Sequence, residues 1–249
     1  VKIGDVELLP LNDGTIRLPP AFYVGLDWST HADLLSPDGF IEIPIGCFLL
    51  RSGDRVVLLD AGMGTRTTEW GTGGELPAAL AHHGVSPDDI DTVVCTHLHI
   101  DHIGWLPLFA EATVRFGRGD LDHFAGDENV AAILGAVAGR VDLIDGDDVA
   151  LAPGLTARHT PGHTPGHYGL VVSSGAERAV LLGDAVECPL QLEETDFYAF
   201  SDVDPALAAR TREAVWRELE GTDTLMTAAH FPGLEFGRVL RGEGKRYFA

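Results

Sequence analysis

The sequence predicts a mixed α/β fold (of α+β type). Three observations point there: short apolar runs alternate with helical stretches, no low-complexity linker divides the 249 residues, and two apolar hairpins far apart in the chain echo each other. Hydrophobic residues make up 45% and charged residues 22%, ordinary values for a folded chain and unlike those of a disordered or fibrous one. A chain of this length buries enough surface to need no disulfide staples. One domain spanning 1–249 is the expectation.

The runs 47–50 and 56–59 flank Ser52-Gly53-Asp54, a hairpin signature. Residues 75–83 read as a helix stopped by Gly84, and Ser86-Pro87-Asp88-Asp89 has capping-box spacing. Residues 91–95 then read as a buried strand, 127–138 as helix, and 155–159, 168–173 and 179–182 as extended runs. The clearest helix spans about 205–220, with Asp204 as N-cap, Pro205 in the first turn and Gly221 just past the end. Its expected apolar face runs Leu207, Ala208, Thr211, Val215 and Leu219, with Arg210, Arg212, Glu213 and Arg217 opposite. Residues 224–229 read as a last core strand. The echo pairs Leu49-Leu50-Arg51-Ser52-Gly53 through Leu58-Leu59-Asp60 with Val171-Val172-Ser173-Ser174-Gly175 through Leu181-Leu182-Gly183-Asp184. Two related β-rich halves facing each other would produce it, as would chance likeness between two hairpins.

Charge narrows the partners. Acidic residues outnumber basic ones 38 to 17, for a net charge of −21. That field repels phosphate backbones and anionic membrane surfaces. No run approaches the roughly 18 apolar residues of a membrane span, and no basic-then-apolar leader opens the chain. Cys47, Cys95 and Cys188 fit neither a disulfide framework nor a zinc ribbon. A cytoplasmic protein acting on a small molecule is expected, with no nucleic-acid or membrane partner.

The dominant signal is Thr96-His97-Leu98-His99-Ile100-Asp101-His102. A shuffled chain of this composition would contain His-x-His-x-Asp-His only about 0.002 times. In extended chain His97 and His99 point the same way, so both imidazoles can reach one metal. A tight turn then swings Asp101 and His102 toward a second site. Imidazole with carboxylate suits zinc, and also iron or manganese. His163, Asp184 and His230 each follow an apolar run, as His97 does. Strands running in one direction would bring all seven groups to one rim. An isolated His after a strand is ordinarily a turn residue; the cluster's need for partners is what raises these three.

On these residues the chain resembles the metallo-β-lactamase-fold hydrolase superfamily. The likeness covers nearly the whole chain: the hairpin ending in Asp60-Ala61-Gly62, the cluster at 97–102, Pro161-Gly162-His163, Gly183-Asp184 and His230. It implies a four-layer αβ/βα sandwich with a binuclear metal centre on one edge, most simply two zinc ions. His97, His99 and His163 would bind the first ion, Asp101, His102 and His230 the second, and Asp184 both. Asp60 matches a supporting acid, and His167 would be a further donor behind the ligands. Two such ions about 3.5–4 Å apart hold a bridging hydroxide, with Asp101 placed to orient it or pass a proton. No Gly-x-Ser-x-Gly elbow competes with this chemistry.

The resemblance also narrows the reaction. Lactam-hydrolysing relatives generally lack the Asp at 184, oxygen-reducing members carry Glu where His99 sits, and the −21 charge opposes the RNA-processing members. Quorum-quenching lactonases are similar across the ligand motifs but usually carry Tyr at the position of Glu187. His230-Phe231-Pro232-Gly233 resembles the branch of arylesterases and organophosphate hydrolases. The expectation is hydrolysis of a lactone or carboxylic ester with an apolar or aromatic portion, ahead of a phosphotriester or thioester. A non-catalytic metal-binding protein and a nuclease rank below these. Trp105, Glu187, Phe197 and Tyr198 are the expected pocket residues, with Phe22, Tyr23, Trp28, Phe40 and Phe200 as further aromatic candidates. The resemblance also allows a homodimer.

Overall fold

The computed structural model describes residues 1–249. The first half of the chain forms β1 (Lys2–Ile3), β2 (Val6–Leu18), β3 (Tyr23–Val24), β4 (Ile41–Ser52), β5 (Arg55–Leu59), β6 (Thr67–Thr68), β7 (Gly71–Thr72), β8 (Thr92–Val94), β9 (Thr113–Gly117) and β10 (Val141–Ile144). Helices α1 (Leu76–His82), α2 (Ile100–Ile103), α3 (Arg118–His123) and α4 (Glu128–Val137) are interleaved with them. The second half forms β11 (Asp148–Ala152), β12 (Leu155–His159), β13 (Tyr168–Ser174), β14 (Glu177–Leu181), α5 (Leu190–Glu193), β15 (Tyr198–Ala199), α6 (Pro205–Leu219), β16 (Leu225–Thr227), β17 (Val239–Gly242) and β18 (Lys245–Phe248).

Strand alternation sorts these elements into four layers. In β4 and β5, Leu49 and Leu58 face one way, into a cluster with Leu76 and Leu80 of α1 and Val130, Ile133 and Val137 of α4. Their neighbours Phe48, Leu50, Val57 and Leu59 face the other way, against Leu155, Leu170, Val172, Ala179 and Leu181 of the second sheet. Val171 and Val180, on that sheet's far side, pack on Val215, Trp216 and Leu219 of α6. Side chains one residue apart point to opposite faces, so strands buried on both sides yield helix, sheet, sheet, helix. This is the expected four-layer sandwich.

The two sheets share a motif. The first runs in the order β10-β9-β8-β5-β4-β2-β7-β6, with β1 also on β2; the second runs β11-β12-β13-β14-β16. In the first, the hairpin β4–β5 is followed by β8, parallel to β5. In the second, the hairpin β13–β14 is followed by β16, parallel to β14. β12 is antiparallel to β13 and therefore runs in the direction of β14. The ends of β5, β8, β12, β14 and β16 then open on one rim, where Tyr168 N donates to Thr96 O across the sheets (2.8 Å).

Helix α6 starts as expected, with the Asp204 carboxylate accepting from Leu207 N. Its buried face differs from the expectation: Leu207 and Thr211 are only partly buried, while Trp216 and Arg212 are buried. Arg212, assigned to the polar side, is buried together with Ala208, Val215, Trp216 and Leu219. The spacing 208, 212, 215, 219 is itself a helical stripe, and Arg212 is retained on it by an ion pair with Asp202.

α6 also presses on the loop that carries His163. Gly162 has φ +134°, and a Cβ there would lie 2.3 Å from the backbone nitrogen of Ala208. We predict that Gly162→Ala destabilises the fold by about 1–3 kcal/mol through this strain, read as a fall of several degrees in Tm. An unchanged Tm would show that the loop has room to relax.

Candidate metal centre

Each site residue enters from the end of a strand on the shared rim. Asp60 follows β5, His97 follows β8 by three residues, His163 follows β12, Asp184 follows β14 and His230 follows β16. Asp101 and His102 lie on α2, a single turn just after His99. The structure brings seven of these side chains into two touching groups. His97, His99, His163 and Asp184 form one and Asp101, His102 and His230 the other, each with its ligating atoms within 4.8 Å of one another. Asp184 reaches both: Oδ2 is 3.5 Å from His163 Nε2, 3.7 Å from His97 Nε2 and 3.2 Å from His230 Nε2, and Oδ1 is 3.4 Å from His102 Nε2.

Outer hydrogen bonds fix how the rings face. His102 Nδ1 donates to Asp60 Oδ2 (2.9 Å) and His230 Nδ1 to Pro44 O (2.8 Å). His163 Nδ1 donates to Asp202 Oδ1 (3.1 Å). His97 Nδ1 donates to Thr96 Oγ1 (3.0 Å), whose hydroxyl in turn donates a hydrogen bond to Asp60 Oδ2 (3.0 Å). With Nδ1 committed outward, each Nε2 faces inward, where its lone pair is available to a cation once the ring is neutral. Asp60 thus serves the site from behind, accepting from Thr96 N as well (2.7 Å). It does so at φ 61°, the left-handed region that an Asp tolerates better than most residues. His167 accepts from Asp184 N at its Nε2 (3.0 Å) and donates from Nδ1 to Thr160 Oγ1 (2.8 Å). It therefore holds the Asp184 backbone rather than the His163 ring.

Asp120 and Asp13, which sequence patterning does not single out, pin the surrounding loops. Buried Asp120 accepts from Leu98 N, Thr164 Oγ1 and Gly166 N, tying the two histidine loops together. Buried Asp13 accepts from Met63 N, Leu76 N and Trp105 Nε1.

The donor set fits a pair of cations. His99 Nδ1 lies 2.9 Å from His97 Nε2 and 3.0 Å from His163 Nε2. With the outer protons of those two rings already committed, nitrogen lone pairs face one another unless something positive sits between them. His102 Nε2 and Asp184 Oδ1 are buried with no hydrogen-bond partner at all. Ligand atoms around a zinc ion at about 2.0–2.2 Å stand roughly 3.3 Å apart, close to the separations here.

The electrostatics agree. Burial, helped by neighbouring His163, lowers the His99 imidazole to about 3, which keeps it neutral. Burial would also lower His230, but Asp184 and Asp101 outweigh it and hold the ring up to about 9. Burial would raise Asp184, yet His230, His102 and His97 bring it well below the usual carboxylate range. Without a metal, protons supply the positive charge that these carboxylates need.

A cleft of about 620 Å³ opens over both groups and is lined by His99, Asp101, Asp184 and His230. Its apolar wall is Ile16, Leu18, Phe22, Ile43 and Met63, with Phe124 and Val130 opposite. Polar groups on the lining include Arg66, Glu187 and Ser201. Of the four expected pocket residues, Glu187 stands on this lining and three are placed elsewhere; of the five further aromatic candidates, Phe22 is on it and Tyr23, Trp28, Phe40 and Phe200 are not. Trp105 packs on the core beneath α4, its indole N–H taken by Asp13 (2.8 Å). Phe197 is buried edge-on against Tyr23, 5.7 Å between ring centres. Tyr198 pairs with Val24 in the β15–β3 ribbon, its side chain partly exposed.

The metallo-beta-lactamase superfamily profile matches residues 43–220. The chain belongs to that superfamily, and it is a metal-dependent hydrolase of that fold. It is 28% identical over 219 residues to an N-acyl homoserine lactonase of a Bacillus species, covering 80% of this chain and 87% of the relative. Among solved structures it is similar to AidC, a dizinc quorum-quenching lactonase in complex with a homoserine product (TM-score 0.87, 22% identity, covering 100% and 95% of the two chains). It is also similar to the hydrolase AbOPH of the beta lactamase superfamily (TM-score 0.82, 24% identity, 100% and 94%). No helix is long and apolar enough to cross a membrane.

A cation entering the group of Asp101, His102 and His230 must displace the proton that His230 holds up to about 9. Metal affinity is therefore expected to rise as pH rises from 6 toward 9, with proton release near pH 7. Calorimetry in buffers of different ionisation enthalpy measures this; an affinity flat across that range would contradict it.

Proposed function

We propose that the chain is a dinuclear hydrolase of lactones or carboxylic esters carrying an apolar portion, and that it acts in the cytoplasm. The observation that carries this reading is Asp184, a single buried carboxylate shared by two sets of imidazoles on the floor of a half-apolar cleft. His97, His99 and His163 would hold one divalent ion, Asp101, His102 and His230 the other, and Asp184 both. Zinc suits this donor set, and the likeness to a dizinc lactonase supports that choice. Such ions supply a water activated at neutral pH and a Lewis acid for the substrate carbonyl.

The chain's own residues do the rest. Asp101 lines the cleft with Oδ2 3.4 Å from His102 Nε2 and 3.5 Å from His230 Nε2. Burial would raise it, but His102 and His230 outweigh this and keep it ionised. It is thus an acceptor that can orient an attacking water. Glu187 presents a carboxyl at the same floor, with Oε1 held by Ser201 (2.9 Å) and Oε2 buried without a partner. A polar atom left unpaired on a binding surface selects substrates that can pair it. Ile16, Leu18, Phe22, Ile43 and Met63 offer a dry wall for an acyl chain.

The test is metal analysis of the purified protein coupled to a panel of lactones, including N-acyl homoserine lactones, with aryl esters, thioesters and phosphotriesters. Lactone or ester turnover that depends on two bound ions supports the reading. Turnover of phosphotriesters alone would move the activity to that class, and no turnover of anything by fully metallated protein would favour a non-catalytic metal-binding role. Within an acyl series, each added methylene is expected to raise kcat/KM about fourfold, from roughly 0.8 kcal/mol per buried CH₂. Phe22→Ala should flatten that slope, and a slope unchanged in the variant would assign the chain to another wall. Asp184→Ala is expected to lower metal content to one ion or fewer and to abolish turnover; two tightly held ions in that variant would refute the sharing.

A further inference from the structure

The ring of His163 is addressed from behind by an ion pair. Its Nδ1 lies 3.1 Å from Asp202 Oδ1, and the other oxygen of Asp202 lies 3.3 Å from Arg212 Nη1. The side chains of His163, Asp202 and Arg212 are 1%, 1% and 6% exposed, so the chain of contacts is closed to solvent. Glu187 Oε1 also stands 3.4 Å from His163 Nδ1, but it accepts from Ser201 and is the more distant of the two.

Arg212 is the one charged residue in the buried set of α6, and Asp202 is its one ion-pair partner. A guanidinium on an apolar stripe is unfavourable unless a carboxylate meets it. Apart from Arg212, the one side-chain hydrogen bond of that carboxylate is to the ring of His163, with the Glu187 carboxyl standing within 4.8 Å. The backbone repeats the connection. Val203 N donates to His163 O and Asp204 N to Gly162 O, each at 2.9 Å. Thr211 Oγ1, one residue before Arg212, donates to Pro161 O at 2.6 Å. The start of α6 and the histidine loop are thus locked together.

We propose that Asp202 and Arg212 are positioning residues for the ion held by His97, His99 and His163. Asp202 fixes the Nδ1–H form and rotation of His163, which leaves Nε2 unprotonated and aimed at His99 and Asp184. Arg212 holds Asp202 in place. The effect is confined to one of the two ions, because His102 and His230, on the other, donate their outer hydrogen bonds to Asp60 and Pro44 instead. The proposal rests on the two-ion reading of the centre.

The experiment compares wild type with Asp202→Asn, Arg212→Lys and the charge-free double variant Asp202→Asn/Arg212→Met. The double variant avoids leaving one buried charge alone, which keeps the test open if Asp202→Asn folds poorly. Zinc affinities are read by chelator competition and Co(II) absorption, and the His163 tautomer in metal-free protein by long-range ¹H–¹⁵N spectra at a pH where the ring is neutral. In the double variant one ion should weaken 10–100-fold while the other stays within about threefold, and the His163 ring should lose its single tautomer. Arg212→Lys should recover part of the affinity. Wild-type affinities for both ions and an unchanged tautomer would overturn the proposal, as would equal weakening of both ions. A wild-type chain that binds no metal would instead refute the two-ion reading, while the tautomer comparison would still decide the role of Asp202.

Discussion

Asp184 is one carboxylate within reach of four imidazoles from two groups, and the architecture of the rim follows from the need to hold it there. A buried carboxylate is tolerated only where positive charge and hydrogen bonds meet it. Here the imidazoles contribute lone pairs or protons, His167 holds the backbone nitrogen of Asp184, and Asp60 and Pro44 fix the rings that face it. In the metal-free state the surplus negative charge is balanced by protons on His102 and His230, held there by Asp184 and Asp101 against burial. The same carboxylates that raise those imidazoles are the groups that would welcome divalent cations. Metal uptake and proton loss are two sides of one balance.

The two sheets deliver this arrangement by using the same device twice. Each carries a hairpin that ends in an aspartate, followed by a strand parallel to the hairpin's second arm that ends in site residues. Asp60 lies one residue past β5 and Asp184 three residues past β14, and their roles differ. Asp60 serves Thr96 and His102 from behind, and Asp184 stands between the two groups. The likeness between Leu49–Asp60 and Val171–Asp184 in sequence thus has a counterpart in topology, a hairpin followed by a parallel strand in each sheet.

Much of the site was legible because its chemistry is dense. His-x-His-x-Asp-His is too improbable to be incidental, and His163, Asp184 and His230 share its context of an apolar run that ends in a polar group. The hairpins, the α6 cap and the strand at 92–94 were legible from periodicity and turn residues. The long strand β2 was not, because Pro10, Asn12, Asp13 and Gly14 interrupt its pattern and the register shifts between Asn12 and Thr15. Direction was the other hidden quantity. Trp105 lies three residues from His102, but a hydrogen bond to Asp13, 92 residues away in sequence, sets where it points. Arg212 was read as solvent-facing because a charge ordinarily is, although its spacing to Ala208 and Val215 already placed it on the buried stripe. Its partner Asp202 sits in a loop with no periodic signal, so the link to His163 emerges only in three dimensions.

The account stands on two cations meeting at Asp184, and anomalous X-ray diffraction at the zinc edge on crystals of zinc-loaded protein observes that directly. It predicts two peaks, one among His97, His99 and His163 and one among Asp101, His102 and His230, each within bonding distance of Asp184. A single peak, or two that leave Asp184 uncoordinated, would contradict it.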